Sequence, residues 1–183
     1  MKKTVLVFGL ISGAISSLMM VATVPFVDRI GFDKGVFVGY TAIVLSFLLV
    51  YFGIRSYRDN VGNGQITFGK AFAVGLGITV ISCIFYVATW EILYFTFLPD
   101  FMGKYNAYMV EKLKVSGASA AVVQVKLEEL KRYKELYQNP LFNAAMTFLE
   151  PLPIGLVITL ISAAVLRKKG QSQSAQAPLP ASS

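Results

Sequence analysis

Histidine is missing from all 183 residues of this chain, and cysteine occurs once, at Cys83. Without histidine there is no Ser-His-Asp or Cys-His nucleophile pair, no HExxH zinc site and no haem held through imidazole. A single cysteine allows no internal disulfide, so thiol content leaves the redox compartment unread. Charge is also scarce. Lysine, arginine, aspartate and glutamate supply 15% of the chain, against about a quarter in an ordinary soluble domain. The scarcity is patterned. Residues 4–27, 35–54 and 71–90 carry no charge, and 136–166 carry only Glu150.

Apolar side chains fill those stretches. The chain is 55% hydrophobic with a mean hydropathy of +0.62. Crossing a bilayer takes about 20 mostly apolar residues. The sequence therefore reads as an all-α integral membrane four-helix bundle, with spans at 4–27, 36–54, 71–98 and 141–166. The start, MKKTVLVFGLISGA, resembles a secretory signal, and Ser12-Gly13-Ala14 resembles a cleavage site. The apolar run continues to Val27, past the roughly 7–15 residues of a signal core, so an uncleaved first span is expected. Cys83 lies in the middle of the third run and reads as a small lipid- or helix-facing residue, because a reactive thiol needs an electropositive, partly exposed setting.

Turn residues punctuate the spans. RIGFDKG, with Gly31 and Gly35, is a tight link after the first. Asn60, Gly62, Asn63 and Gly64 follow the second, and Thr67 is placed to cap the third helix. At 1.5 Å per residue the third run would extend roughly 42 Å, beyond the roughly 30 Å hydrocarbon core, so it must tilt or leave the membrane. Residues 101–138 form the only sizeable non-membrane part. Met102, Tyr105, Met109 and Leu113 make one helical stripe; Val123, Leu127, Leu130, Tyr133 or Lys134, and Tyr137 make another. Two amphipathic helices split at Ser116-Gly117 are expected, as a hairpin capping the bundle or lying on headgroups, with a partner-binding surface as the other reading. Asn139-Pro140 then opens the fourth helix as N-cap and first-turn proline. The tail 170–183 is small, polar and proline-containing, and is expected to be disordered.

Small residues recur at fourfold spacing: Gly9, Gly13 and Ser17; Gly69, Ala73 and Gly77; Gly155, Thr159 and Ala163. Such stripes let helix backbones approach closely and fit a compact bundle, a homodimer or both. For orientation, eight basic residues sit at the end holding the termini and nine at the other. The eight directly flank spans, whereas most of the nine are spread over the long loop. Short segments and span ends govern insertion, so both termini are expected in the cytoplasm of a bacterial inner membrane. The pI of about 9.5 is then a topology signal and not a nucleic-acid footprint, which would need a contiguous basic face.

GIRSYRDN (53–60), GQITFGKAFAVGLGI (64–78) and GLVITLISAAVLRKK (155–169), with a long helical insertion before the last span, resemble an uncharacterised family of bacterial membrane proteins, domain of unknown function four-one-nine-nine. The resemblance covers about residues 1–170 and implies a four-span membrane protein with no assigned activity.

Two acids interrupt the apolar runs. Glu91 lies 21 residues beyond Lys70, roughly 31 Å along a helix, which places it near the outer boundary with Trp90 and Tyr94. Glu150 lies 17 residues before Arg167, roughly 25 Å from the inner face and just inside that boundary. Pro151 and Pro153 follow it and should kink the helix. A polar pocket near the outer face is expected from Glu91, Glu150, Tyr86, Thr89 and Thr147, either as a cation or proton site or an anchor for a basic ligand, or as acids satisfied by water, tyrosine or lysine. No metal or cofactor motif is present. The functional expectation is a non-catalytic structural, accessory or partner-binding membrane component in contact with the lipid bilayer, as a homo-oligomer or beside another membrane protein. The alternative is a small proton- or cation-coupled transporter or channel subunit using Glu91 and Glu150.

Overall fold

A computed structural model describes residues 1–168; the tail 170–183, expected to be disordered, lies outside the described residues. The fold is all-α. Helix α1 (Lys2–Thr23) meets Pro25, which cannot donate a backbone hydrogen bond, so the chain tightens to a 3-10 turn at Val24–Phe26 before the short α2 (Val27–Ile30). Gly31 alone separates α2 from α3 (Phe32–Asn60), and its φ of 87° is a conformation that favours glycine. A turn at 61–67 leads to α4 (Phe68–Ile92), which Thr67 caps by accepting from the Lys70 amide. The end of α4 widens into a π-helical turn, Leu93–Phe97.

The insertion is the expected hairpin, α5 (Phe101–Val115) and α6 (Ala120–Tyr137), split where Gly117 takes a φ of 79°. Asn139 Oδ1 accepts from the amides of Leu141 and Phe142 and starts α7 (Pro140–Leu149). At Glu150 and Pro151 the helix breaks, and α8 (Leu152–Leu166) completes the span. Lys168 pairs with Ile66 through two backbone hydrogen bonds, tying the end of α8 to the α3–α4 turn.

Four helical stretches are long and apolar enough to cross a membrane: Lys2–Ile30, Phe32–Asn60, Phe68–Phe97 and Pro140–Leu166. The first three extend beyond their charge-free runs, because helical hydrogen bonding continues past the hydrocarbon edge. The molecule is inverted relative to a soluble protein. Its outer surface is greasy, with Leu18 69% and Phe37 74% exposed, which water would not tolerate and lipid does. Its interior is threaded with small polar groups. Ser12 donates to the Ser46 carbonyl (2.9 Å), Ser82 to the Gly9 carbonyl (3.3 Å), and the Thr79 and Thr159 hydroxyls bond each other (3.1 Å).

Helix α4 is the central rod, packed on α1, α3, α7 and α8. The first and last small-residue stripes lie where helices approach closely. Gly9 and Gly13 face Ile81 and Phe85 of α4, Ser17 reaches the Phe85 carbonyl, and Gly155, Thr159 and Ala163 face the interior. The stripe expected on α4 requires correction. A Cβ at Gly69 would meet nothing, Ala73 is exposed, and only Gly77 touches a neighbour, Val5. The close approach is made one face over, by buried Ala71 and by Gly75 against Thr159, Ile54 and Val50.

Candidate functional site

The break at Glu150 and Pro151 shapes the end of the bundle that carries the hairpin. Past the break, α8 packs on both α3 and α4; before it, α7 packs on α4 and makes little contact with α3. The wedge between α3 and α7 is an open cavity of about 420 Å³, within the range of about 300–1,000 Å³ common for small-molecule sites. Val36, Gly39 and Tyr40 form its α3 wall, at helical spacings of three and four. Tyr86 and Trp90, four residues apart, form the α4 wall, and Met146, Thr147 and Glu150 lie opposite. Tyr105 of α5 with Tyr133 and Tyr137 of α6 roof it.

Among the described residues Glu150 is the only carboxylate lining the cavity, and no lysine or arginine lines it. The Tyr86 hydroxyl donates to Glu150 Oε2 at 3.2 Å. Among the described residues Glu150 makes no ion pair. Its residue surface is exposed at the mouth of the cavity. Burial holds the Tyr137 phenol above its ordinary pKa. Behind the α4 wall, Asn143 is fully buried. Its Oδ1 accepts from Trp90 Nε1 (2.8 Å) and from the Thr147 hydroxyl (3.2 Å), and its Nδ2 donates to the Tyr137 carbonyl (3.3 Å). This network fixes the Trp90 ring and ties α4, α6 and α7 together.

The hairpin is docked chiefly through side chains. The Phe32 ring sits among Phe101, Tyr105 and Tyr108, with centroids 5.8, 5.6 and 5.1 Å away. Lys104 pairs with Asp28, and Lys112 with Asp33 at 2.8 Å, joining α5 to the short link between the first two spans. Each carboxylate raises its lysine's pKa. Lys134 reaches Asp100 at 3.5 Å. On the hairpin's inner side, Met102, Asn106 and Leu130 are buried, and Asn106 donates to the Leu130 carbonyl at 3.0 Å.

Three of the five residues named from sequence, Tyr86, Thr147 and Glu150, meet in this cavity. Thr89 turns away, its hydroxyl oxygen 2.7 Å from Ser17 Oγ and 2.9 Å from the Phe85 carbonyl, to one of which it donates its single proton. Glu91 does not line the cavity; its Oε1 is buried without a hydrogen-bond partner. The reason is helical phase. Tyr86 and Trp90 share a face, and Glu91, one residue on, is rotated about 100° from Trp90. The expected kink falls at Glu150 and Pro151, with Pro151 buried and Pro153 in the first turn of α8. Sequence reasoning missed Tyr40, Gly39 and the hairpin tyrosines as cavity residues. The fourfold spacing of Tyr133 and Tyr137 was the available signal. Among the described residues no cluster of three or more histidine, cysteine, aspartate or glutamate side chains could hold a metal ion.

The model of a family described as "Protein of unknown function (DUF4199)" matches residues 7–168. No curated protein and no solved structure matches the chain. The chain belongs to the DUF4199 family.

Proposed function

We propose that this member of the DUF4199 family is a non-catalytic accessory component of a bacterial inner membrane, with both termini cytoplasmic, that binds a ligand in the cavity beneath its extracytoplasmic hairpin. The observation that carries the reading is the cavity itself: an aromatic chamber with one carboxylate, lined from helices α1 to α7 and roofed by the hairpin. Its lining holds no cysteine and no second carboxylate, and the chain has no histidine. It therefore offers no thiol or imidazole for covalent or acid–base chemistry, which supports binding over turnover.

The transporter reading needs a path to the opposite face. That half of the bundle is filled by Phe47, Val50, Ile54, Val74 and Ile78, each at most 2% exposed, and the two glutamates do not share the cavity. The test has two arms. Native mass spectrometry of protein extracted from its own membrane is expected to find a retained small molecule that Gly39→Phe releases. In proteoliposomes the protein is expected to leave proton and cation gradients intact; dissipation that Glu150→Gln abolishes would replace this reading with a transporter.

A further inference from the structure

Resting on the cavity reading above, we propose that the cavity is a site for a substituted ammonium ion, with Glu150 as its counter-charge and the surrounding rings as its cage. Charge is the first ground. The one carboxylate that the described residues bring to the chamber has a neutral phenol, Tyr86, as its side-chain partner, and none of the described lining residues is basic. An anion would find no positive group there. A metal ion would find one carboxylate where several oxygen ligands are required.

The walls are the second ground. Tyr40, Tyr86, Trp90, Tyr105 and Tyr137 bring rings from four helices to one chamber. Aromatic faces attract a cation within about 6 Å and pack equally well on its N-alkyl groups, which a bare, strongly hydrated inorganic cation lacks. Access is the third. A Cβ at Gly39 would meet nothing within 4 Å, and Val36 and Tyr40 beside it are 53% and 44% exposed. The chamber thus opens sideways between α3 and α7, near one end of the spans, where headgroups lie. The ammonium can come from a free small cation or from an ethanolamine lipid.

Trp90 is the only tryptophan and stands in the wall, so its emission reports occupancy. The full chain in phosphatidylglycerol nanodiscs would be titrated with choline, with tetramethylammonium and with 3,3-dimethylbutanol, the neutral isostere of choline. Both cations are expected to shift Trp90 emission saturably, with the isostere at least about tenfold weaker. Glu150→Gln should weaken choline by about 30-fold or more. Gly39→Phe, which fills the open side without meeting a neighbour at Cβ, should abolish the response. Nanodiscs containing phosphatidylethanolamine separate the sources. A lipid ligand shifts Trp90 unaided and competes with choline; a free-cation site leaves Trp90 unchanged and choline affinity unaltered. An isostere that binds as tightly as choline, or an inert Glu150→Gln, overturns the cation assignment while a sensitive Gly39→Phe keeps the cavity reading. Silence of Trp90 to every probe, in wild type and Gly39→Phe alike, overturns both.

Discussion

The contact between α4 and α8 gives the sharpest stability prediction. A Cβ built on Gly155 lies against Thr79 Cγ2, closer than carbon atoms approach, and 3.0 and 3.2 Å from Cζ and Cε2 of Phe47. Thr79 and Phe47 are 0% and 2% exposed, so neither can swing into free space. Gly155→Ala must therefore push α8 off α4 and strain the Thr79–Thr159 hydroxyl bond of 3.1 Å. Overpacking of this kind costs about 1–3 kcal/mol, partly offset by up to about 1 kcal/mol from replacing glycine within a helix. The offset blurs the single variant and cancels in a double-mutant cycle. Thr79→Ser removes Cγ2, the clashing atom, and keeps the hydroxyl. Alone it costs about 1 kcal/mol for the lost methyl. Together with Gly155→Ala it should recover about 1–2 kcal/mol of the clash. Reversible unfolding in mixed micelles across the four proteins gives the coupling directly. Additivity within about 0.5 kcal/mol would mean that α4 and α8 do not meet at this point.

Three further outcomes follow from other contacts. Asn143→Leu leaves the Trp90 Nε1–H, the Thr147 hydroxyl and the Tyr137 carbonyl without their partner, and should destabilise by about 3 kcal/mol in the same unfolding assay; a cost under about 0.5 kcal/mol would remove the network from the account. Glu91→Gln should leave both stability and the choline response intact, because Glu91 Oε1 has no partner to lose and lies outside the cavity; a tenfold loss of choline affinity would place Glu91 in the site. Docking of the hairpin should depend on alkaline pH. Asp28 and Asp33 raise the pKa values of Lys104 and Lys112. Their stabilising contribution is complete below the ordinary lysine value of about 10.4 and fades as pH rises through the raised one. The distance between spin labels at Lys34 and Glu111 should stay narrow from pH 7 to 9 and broaden above about 10.5. A narrow distance at pH 12 would refute the role of these ion pairs.

The fold was legible wherever composition changes along the chain. Charge-free runs gave the four spans, and Thr67, Gly117 and Asn139-Pro140 marked helix ends with local chemistry that tertiary contacts did not override. What escaped was rotation about the helix axis. Helix α4 is apolar on every side because it packs on four other helices, so periodicity could not say that Ala71 and Gly75, and not Gly69 and Ala73, face inward. The same limit governed the site. Depth placed both glutamates near one boundary, but depth is axial and the cavity is angular. Only the 100° step from Trp90 to Glu91 separates a residue in the chamber from one outside it. The tyrosine roof depended on how the hairpin folds back over the spans. Phe32 and the lysine–aspartate pairs that decide this are distant from it in sequence.

The central claim, a water-accessible cavity cut into an otherwise lipid-facing bundle, can be tested on a single helix. Gly39 borders the cavity, whereas Leu45, also on α3, is 56% exposed on the apolar exterior. Cys83 is 0% exposed and stays silent as the native thiol. Gly39→Cys and Leu45→Cys would each be treated in membranes with a charged, water-soluble thiol reagent. The account predicts rapid modification at position 39 and protection at 45. Modification at 45 would contradict the membrane-spanning bundle, and protection at 39 would contradict the cavity.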